Sequence, residues 1–190
     1  MTQRHIRAIA LDYGGTISLD PVDRLIAQKP VDPSAAAALR ILGEDLGLRL
    51  ILASNTLPCE TRWPALQQAG IAGLFTAALL SYPLGVRKPD PLFHDLVLAA
   101  AGCPARQVLF VGDNLGCDVT APVTRGMHAA LVRPHGLRPA EVLPAGALLI
   151  RHVRDLWACN FKGVTPDRQG DTSDRRDERS GPGRRGAVGG

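Results

Sequence analysis

Short apolar runs recur along most of the chain, and several end abruptly in a polar group. Arg7-Ala-Ile-Ala-Leu11 runs into Asp12, Leu48 to Ala53 into Ser54-Asn55-Thr56, and Val108 to Val111 into Gly112-Asp113. Further runs are Leu74 to Leu80, Ala129 to Val132 and Ala147 to Ile150. These runs are continuous and not alternating, which predicts strands buried on both faces of a parallel sheet. Helical patterns lie between them. Asp32-Pro33 opens an alanine-rich helix predicted to reach about Leu46, with Gly47 as its stop. Asp90-Pro91 opens another, to about Ala101 before Gly102, and a shorter one spans Thr61 to Ala69 before Gly70. Strand–helix alternation of this kind predicts a three-layer α/β fold, a doubly wound parallel sheet with right-handed crossovers. The expected spatial order is third, second, first, fourth, fifth strand. Ligands of such sheets bind beyond the carboxyl ends of the strands, so the polar residues found there are the ones to examine.

Composition narrows the picture. A chain of 190 residues with 45% apolar and 21% charged residues is a globular protein of about one domain, not a wholly disordered one. The net charge of +4 does not call for a nucleic-acid partner. Only three of the 22 basic residues are lysines (Lys29, Lys88 and Lys162), which singles each of them out. Cys59, Cys103, Cys117 and Cys159 form no CxxC pair and match no zinc spacing, so they read as scattered buried thiols of a cytoplasmic protein. Trp63 to Val86 carries no charge, but Pro64, Gly70, Gly73, Pro83 and Gly85 break it up, so no membrane span is expected. The start lacks the apolar run of a cleavable leader. Residues 163–190 hold seven glycines, and six arginines there face five acids, a composition predicting a disordered tail behind a core of residues 1–162. RNA binding by that tail is disfavoured by its near-balanced charge.

The polar groups at the strand ends are Asp12-Tyr-Gly-Gly-Thr16, Ser54-Asn55 and Gly112-Asp113-Asn-Leu-Gly-Cys-Asp118, with Lys88-Pro-Asp-Pro91 ahead of a helix. Taken alone, each is ordinary: an Asp at a strand end caps a turn, a Ser fills one, a Lys before Pro is solvated. In this order and at these spacings the set resembles the haloacid dehalogenase-like superfamily. The resemblance extends from Ile6 to Leu156 and is densest over Lys88-Pro-Asp-Pro-Leu-Phe93, Val111-Gly-Asp113, Asp118-Val119, Ala121 and Gly126-Met127.

The resemblance implies a hydrolase that moves a phosphoryl group onto an aspartate. Asp12 matches the nucleophile. Lys88 matches the cation facing the phosphoryl oxygens, Ser54 a hydroxyl donor and Asn55 a backbone N–H donor. Asp12, Asp113 and the carbonyl of Gly14 match the Mg²⁺ ligands, and Asp118 the carboxylate that orients Lys88 or a metal-bound water.

There is one departure. Phosphatases of this superfamily usually carry a second Asp two residues after the nucleophile, where this chain has Gly14. That Asp is the general acid and base, a contribution typically of about 10²–10⁴-fold. Three readings stay open: a leaving group that needs no proton, such as an acyl phosphate or an anhydride; replacement by Tyr13, Asp20, Asp23 or Glu60; or a catalytically impaired member that binds phosphate or a partner.

Cap domains in this superfamily are inserted after the first strand or after the second motif. Here those intervals are Ile17 to Pro33 and Thr56 to Arg87, too short for a folded cap. The resemblance then implies an open site and a phosphorylated substrate that is bulky or macromolecular. The segment Ser18 to Pro30 is expected to form at most a small flap, with Arg24 or Lys29 reaching the site. The five histidines do not cluster, Gly14-Gly15 is no dinucleotide fingerprint, and Trp63 and Trp157 read as packing residues.

Overall fold

The structure, a computed structural model, describes residues 5–159. The expected tail and the last residues of the expected core lie outside that range. Six strands, β1 (Ala8–Leu11), β2 (Arg49–Ser54), β3 (Phe75–Leu80), β4 (Val108–Gly112), β5 (His128–Val132) and β6 (Leu148–Ile150), pair in the order β3-β2-β1-β4-β5-β6. All five pairings are parallel. This is the Rossmann-like architecture expected from the apolar runs, with the sixth run added outside the fifth.

Strand period decides how the two faces fill. Ile9 and Leu11 of β1 join Leu50, Leu52, Leu109 and Val111 on one face. Their alternates Ala8 and Ala10 join Ile51, Ala53 and Phe110 on the other. The first face is covered by α1 (Pro33–Arg40), α2 (Trp63–Gln68) and the turn Val153–Ala158. The second is covered by α4 (Pro91–Ala101), whose Phe93 fills the space that Ala8 and Ala10 leave. The remaining short helices are α3 (Ser81–Leu84) and α5 (Ala121–Thr124). Fully burying a side chain the size of Phe93 is worth about 1.5–3 kcal/mol.

Helix α4 begins and ends where the capping signals place it. Asp90 accepts from Leu92 N at 2.8 Å, and Gly102 takes the left-handed conformation at φ +57°. Helix α1 starts as expected, with Asp32 accepting from Ser34 N at 2.6 Å. It does not continue as regular α-helix to Leu46. From Ile41 to Asp45 the turns widen, and Leu46 N donates to Ile41 O at 3.0 Å. Hydrophobic spacing cannot separate this wider turn from an α-turn over one revolution.

No large cap domain is evident among the described residues. Between β1 and α1 the chain forms a small flap, with bridges Ser18↔Val31 and Asp23↔Gln28. Among the described residues, no helix is long and apolar enough to cross a membrane. Two expectations need correction. The cysteines are free but not buried: Cys59 is exposed on the loop after β2, and the other three are half-buried. Trp157 is 67% exposed and packs little, because it lies in the last described turn, beyond the sheet.

Candidate active site

Register brings the strand ends together. Leu11 pairs with Leu52 of β2 on one side and Val111 of β4 on the other. Asp12 therefore emerges between Ser54 and Asp113, where the strand order reverses. Loops leave in opposite directions at such a point and open a crevice.

Lys88 reaches this point from the loop between α3 and α4 and is only 2% exposed. Its ammonium donates to Asp12 Oδ1 at 2.8 Å, Asp118 Oδ1 at 2.7 Å and Ala53 O at 2.8 Å. All three donors are thus satisfied. The Asn55 side chain grips the Lys88 backbone, donating to Lys88 O at 3.0 Å and accepting from Lys88 N at 2.9 Å. Sequence reasoning assigned Asn55 only a backbone role and missed this clamp.

The electrostatics follow from burial and charge count. Burial favours neutral Lys88, but Asp12 and Asp118 outweigh it and hold the ammonium above its ordinary pKa. Asp118 is pushed up to about 6, chiefly by burial, with Lys88 opposing and Asp12 adding. Its second oxygen accepts from Asn114 N at 3.0 Å. Gly112 makes room for it, since a Cβ there would overlap the Asp118 carboxylate. Asp113 is also raised, by burial and by Asp12, with Arg133 and Lys88 opposing.

Oxygens of Asp12, Asp113 and Asp118 lie within 4.8 Å of one another. Both Asp118 oxygens are already engaged, so Asp12 and Asp113 are the pair able to hold a cation. Two facing carboxylates with raised proton affinity at one of them form a hard oxygen site that fits Mg²⁺ or a similar ion. Gly15, at φ +66°, lets the chain pass close by: a Cβ there would lie 2.6 Å from Asp113 Oδ2. Ser54 is buried, and its hydroxyl makes only a long 3.4 Å contact to Asn55 O. A Cβ on Gly14 would meet nothing within 4 Å.

None of the four groups considered as a replacement acid is free. The Tyr13 hydroxyl donates to Lys29 O at 2.5 Å, and burial pushes its pKa up to about 12. Asp20 pairs with Lys29 at 2.6 Å on the flap. Asp23 accepts from Leu25 N at 2.8 Å, and Glu60 pairs with Arg62 at 3.0 Å. Arg24 is exposed on the flap.

Arg133 was not anticipated. It follows β5, is 5% exposed, and donates through Nη1 to the Asp113 carbonyl. Its other side forms a fork with Glu141, Nε to Oε2 at 3.1 Å and Nη2 to Oε1 at 2.5 Å. The signal was present, because Arg133 is a polar residue ending an apolar strand, as Asp12, Ser54 and Asp113 do. A groove of about 500 Å³ adjoins the site beyond Asn55, lined among others by Thr56, Leu57, Ser81, Tyr82 and Arg87.

A family model for haloacid dehalogenase-like hydrolases matches residues 3–122. Phosphoserine phosphatase of Thermus thermophilus is 32% identical over 128 residues, 67% of this chain and 50% of that protein. Phosphoglycolate phosphatase 1 of Pseudomonas aeruginosa is 32% identical over 138 residues, 70% of this chain and 49% of that protein. The chain thus spans about half the length of these curated relatives. A HAD phosphatase from Thermococcus onnurineus superposes with TM-score 0.67 at 16% identity, covering 83% of this chain and 100% of that one. A 2-haloacid dehalogenase from Pseudomonas syringae superposes with TM-score 0.63 at 17% identity, covering 81% and 97%. At these identities the structural likeness concerns the fold.

Proposed function

Since the chain belongs to the haloacid dehalogenase-like hydrolases, we propose that it hydrolyses a phosphate anhydride, acyl phosphate or ester through a phosphorylated Asp12. The observation that carries this reading is the buried Lys88 ammonium held between Asp12 and Asp118, at 2.8 and 2.7 Å. A lysine fixed beside a carboxylate at the sheet's crevice presents positive charge where a phosphoryl group arriving at that carboxylate carries negative charge.

In the first step an Asp12 oxygen forms a bond to phosphorus while the bond to the leaving group breaks and its electron pair departs with that group. Water then cleaves the acyl phosphate, releasing phosphate and restoring the Asp12 carboxylate. Lys88 stays protonated and neutralises phosphoryl oxygens throughout. The Ser54 hydroxyl, with no strong protein partner, donates to one of them, and the Asn55 backbone N–H to another. Asp118 holds Lys88 in place. Mg²⁺ held by Asp12, Asp113 and the Gly14 carbonyl would add positive charge at the transferring group.

Gly14 offers no proton. Tyr13, Asp20, Asp23 and Glu60 are engaged elsewhere, which favours a substrate whose leaving group departs as a stable anion, such as an acyl phosphate. No large cap domain is evident among the described residues, which favours a bulky phosphorylated substrate with its leaving group along the groove by Thr56 and Tyr82. The same lack of an acid favours a second reading, a member that binds phosphate or a partner without turnover.

Initial rates of phosphate release from acetyl phosphate and from a sugar phosphate, with and without Mg²⁺ and beside Asp12→Asn, separate the two. Mg²⁺-dependent release from acetyl phosphate, lost in Asp12→Asn, is the expected result. Release no faster than the Asp12→Asn background from either compound would favour binding without turnover.

A further inference from the structure

We propose that Arg133, gripped by Glu141, is a positioning residue that sets how tightly Asp113 holds the divalent cation. This rests on the metal role given to Asp113 above. The irregular residues 133–147 leave β5 at the catalytic end of the sheet and cross back to begin the parallel β6. A connection of that length without secondary structure of its own usually serves a site. Its first residue is fixed twice. Arg133 N donates to Ile150 O at 2.8 Å, which ties the backbone to β6. The guanidinium turns back towards β4, donating to Val132 O at 3.1 Å and to the Asp113 carbonyl.

The Asp113–Asn114 peptide is thereby gripped from both sides. Arg133 takes the Asp113 carbonyl, and Asp118 takes the Asn114 N–H. Two fixed points hold the backbone from which the Asp113 carboxylate projects towards Asp12. Arg133 itself is held by a planar fork, two parallel bonds to one carboxylate, which only guanidinium can make. Glu141 is held in turn, its Oε2 accepting from Arg138 N at 2.9 Å. The fork is therefore built before any ion arrives.

Charge explains why both members are needed. A lone guanidinium beside a divalent cation would repel it. The Arg133 charge is felt at Asp113, and pairing with Glu141 offsets part of it, so that geometry is what the fork mainly adds. Glu141→Gln leaves an uncompensated positive charge near the ion. Arg133→Lys keeps the charge but not the fork. Both weaken the metal by different routes.

The experiment titrates MgCl₂ into the full-length protein without substrate, by calorimetry, and repeats the titration through phosphate release from acetyl phosphate. Wild type, Arg133→Lys, Arg133→Gln and Glu141→Gln are compared, each checked for folding by its melting curve. Groups lying behind metal ligands typically contribute about 10–100-fold to affinity. The expected result is a Mg²⁺ Kd raised about 10-fold or more in all three variants, with kcat at saturating Mg²⁺ within about 3-fold of wild type. A role in stability alone would lower the melting temperature and the active fraction but leave the Kd unmoved. That outcome in folded variants overturns the proposal and leaves the metal role of Asp113 intact. Should the Arg133 variants fail to fold, Glu141→Gln decides, since its carboxylate lies at the outer end of the fork. A wild type that binds no Mg²⁺ overturns both readings.

Discussion

Gly14→Asp is the substitution that asks most of the proposed chemistry. It restores a carboxylic acid two residues after the nucleophile. The backbone admits it: Gly14 is not among the glycines with positive φ, and a Cβ there meets nothing within 4 Å. The adjacent Gly15, at φ +66° and against Asp113, would not tolerate the same change. General acid catalysis is worth about 10²–10⁴-fold, or roughly 2.7–5.4 kcal/mol of barrier at 1.36 kcal/mol per decade. An introduced acid lacks packing that fixes its rotamer, so about 10–100-fold is the expected gain. Asp12 and Asp113 nearby favour its protonated form, the form that donates. The gain applies only where the leaving oxygen needs a proton. Phosphate release from a sugar phosphate should therefore rise by that factor while release from acetyl phosphate stays near the wild-type rate, both at saturating Mg²⁺. Equal gains on the two substrates would refute the assignment of Gly14 as a missing acid. So would no gain on the sugar phosphate in a folded variant whose Mg²⁺ dependence matches wild type.

Other expectations can be checked separately. Gly112→Ala drives a Cβ into the Asp118 carboxylate, and such overpacking costs about 1–3 kcal/mol. Urea denaturation should register that loss, and phosphate release should fall with it as Lys88 loses an anchor. Lys88→Met leaves Asp12 and Asp118 without their shared ammonium; phosphate release should fall to the Asp12→Asn background, while phosphate protection against thermal unfolding disappears. Partial burial of Asp32 would raise its pKa, but bonds from His152, Ser34 N and Ala35 N prevail and lower it. Its ionised cap is therefore stabilising above the ordinary carboxylate pKa of about 4, and the contribution fades as pH falls through the lower folded value. Asp32→Ala should cost about 1 kcal/mol at pH 7 in urea denaturation and progressively less in acid.

Most of the sheet could be read from the sequence because strands buried on both faces leave an unbroken apolar signature. The six runs match β1 to β6 within a residue or two at each end. Helix α4 was legible to its ends, since Asp90-Pro91 and Gly102 are physical start and stop signals. The early end of regular α-helix at Arg40 was not, because widened turns keep nearly the same apolar spacing. At the site, Asp12, Lys88, Asp113 and Asp118 were found through spacing and resemblance, and they do converge. The Asn55 grip on Lys88 escaped notice because side-chain to backbone contacts leave no pattern in a single sequence. The Arg133–Glu141 fork escaped it for a related reason: two residues of an irregular loop have no periodicity to betray that they meet. The partners that Tyr13, Asp20, Asp23 and Glu60 take could be learned only from the structure.

The ammonium at the heart of the site joins three distant parts of the chain. Asp12 lies 76 positions before Lys88 and Asp118 lies 30 positions after it. On a ribosome the first carboxylate is therefore made early, the ammonium midway, and the second carboxylate last. At about 5–20 residues per second, Asp118 follows Lys88 by roughly 2–6 seconds. During that interval Lys88 can leave water only with half its compensation, and β4, which must slot beside β1, is only then being made. Strand β4 and the turn that follows it thus bring both a neighbour of β1 and the last member of the charge centre, before β5 and β6 are made. A nascent chain stopped before Asp118 would keep Lys88 hydrated and the crevice unsealed, which makes solvent protection of that lysine a reporter of the moment β4 and its turn dock during synthesis.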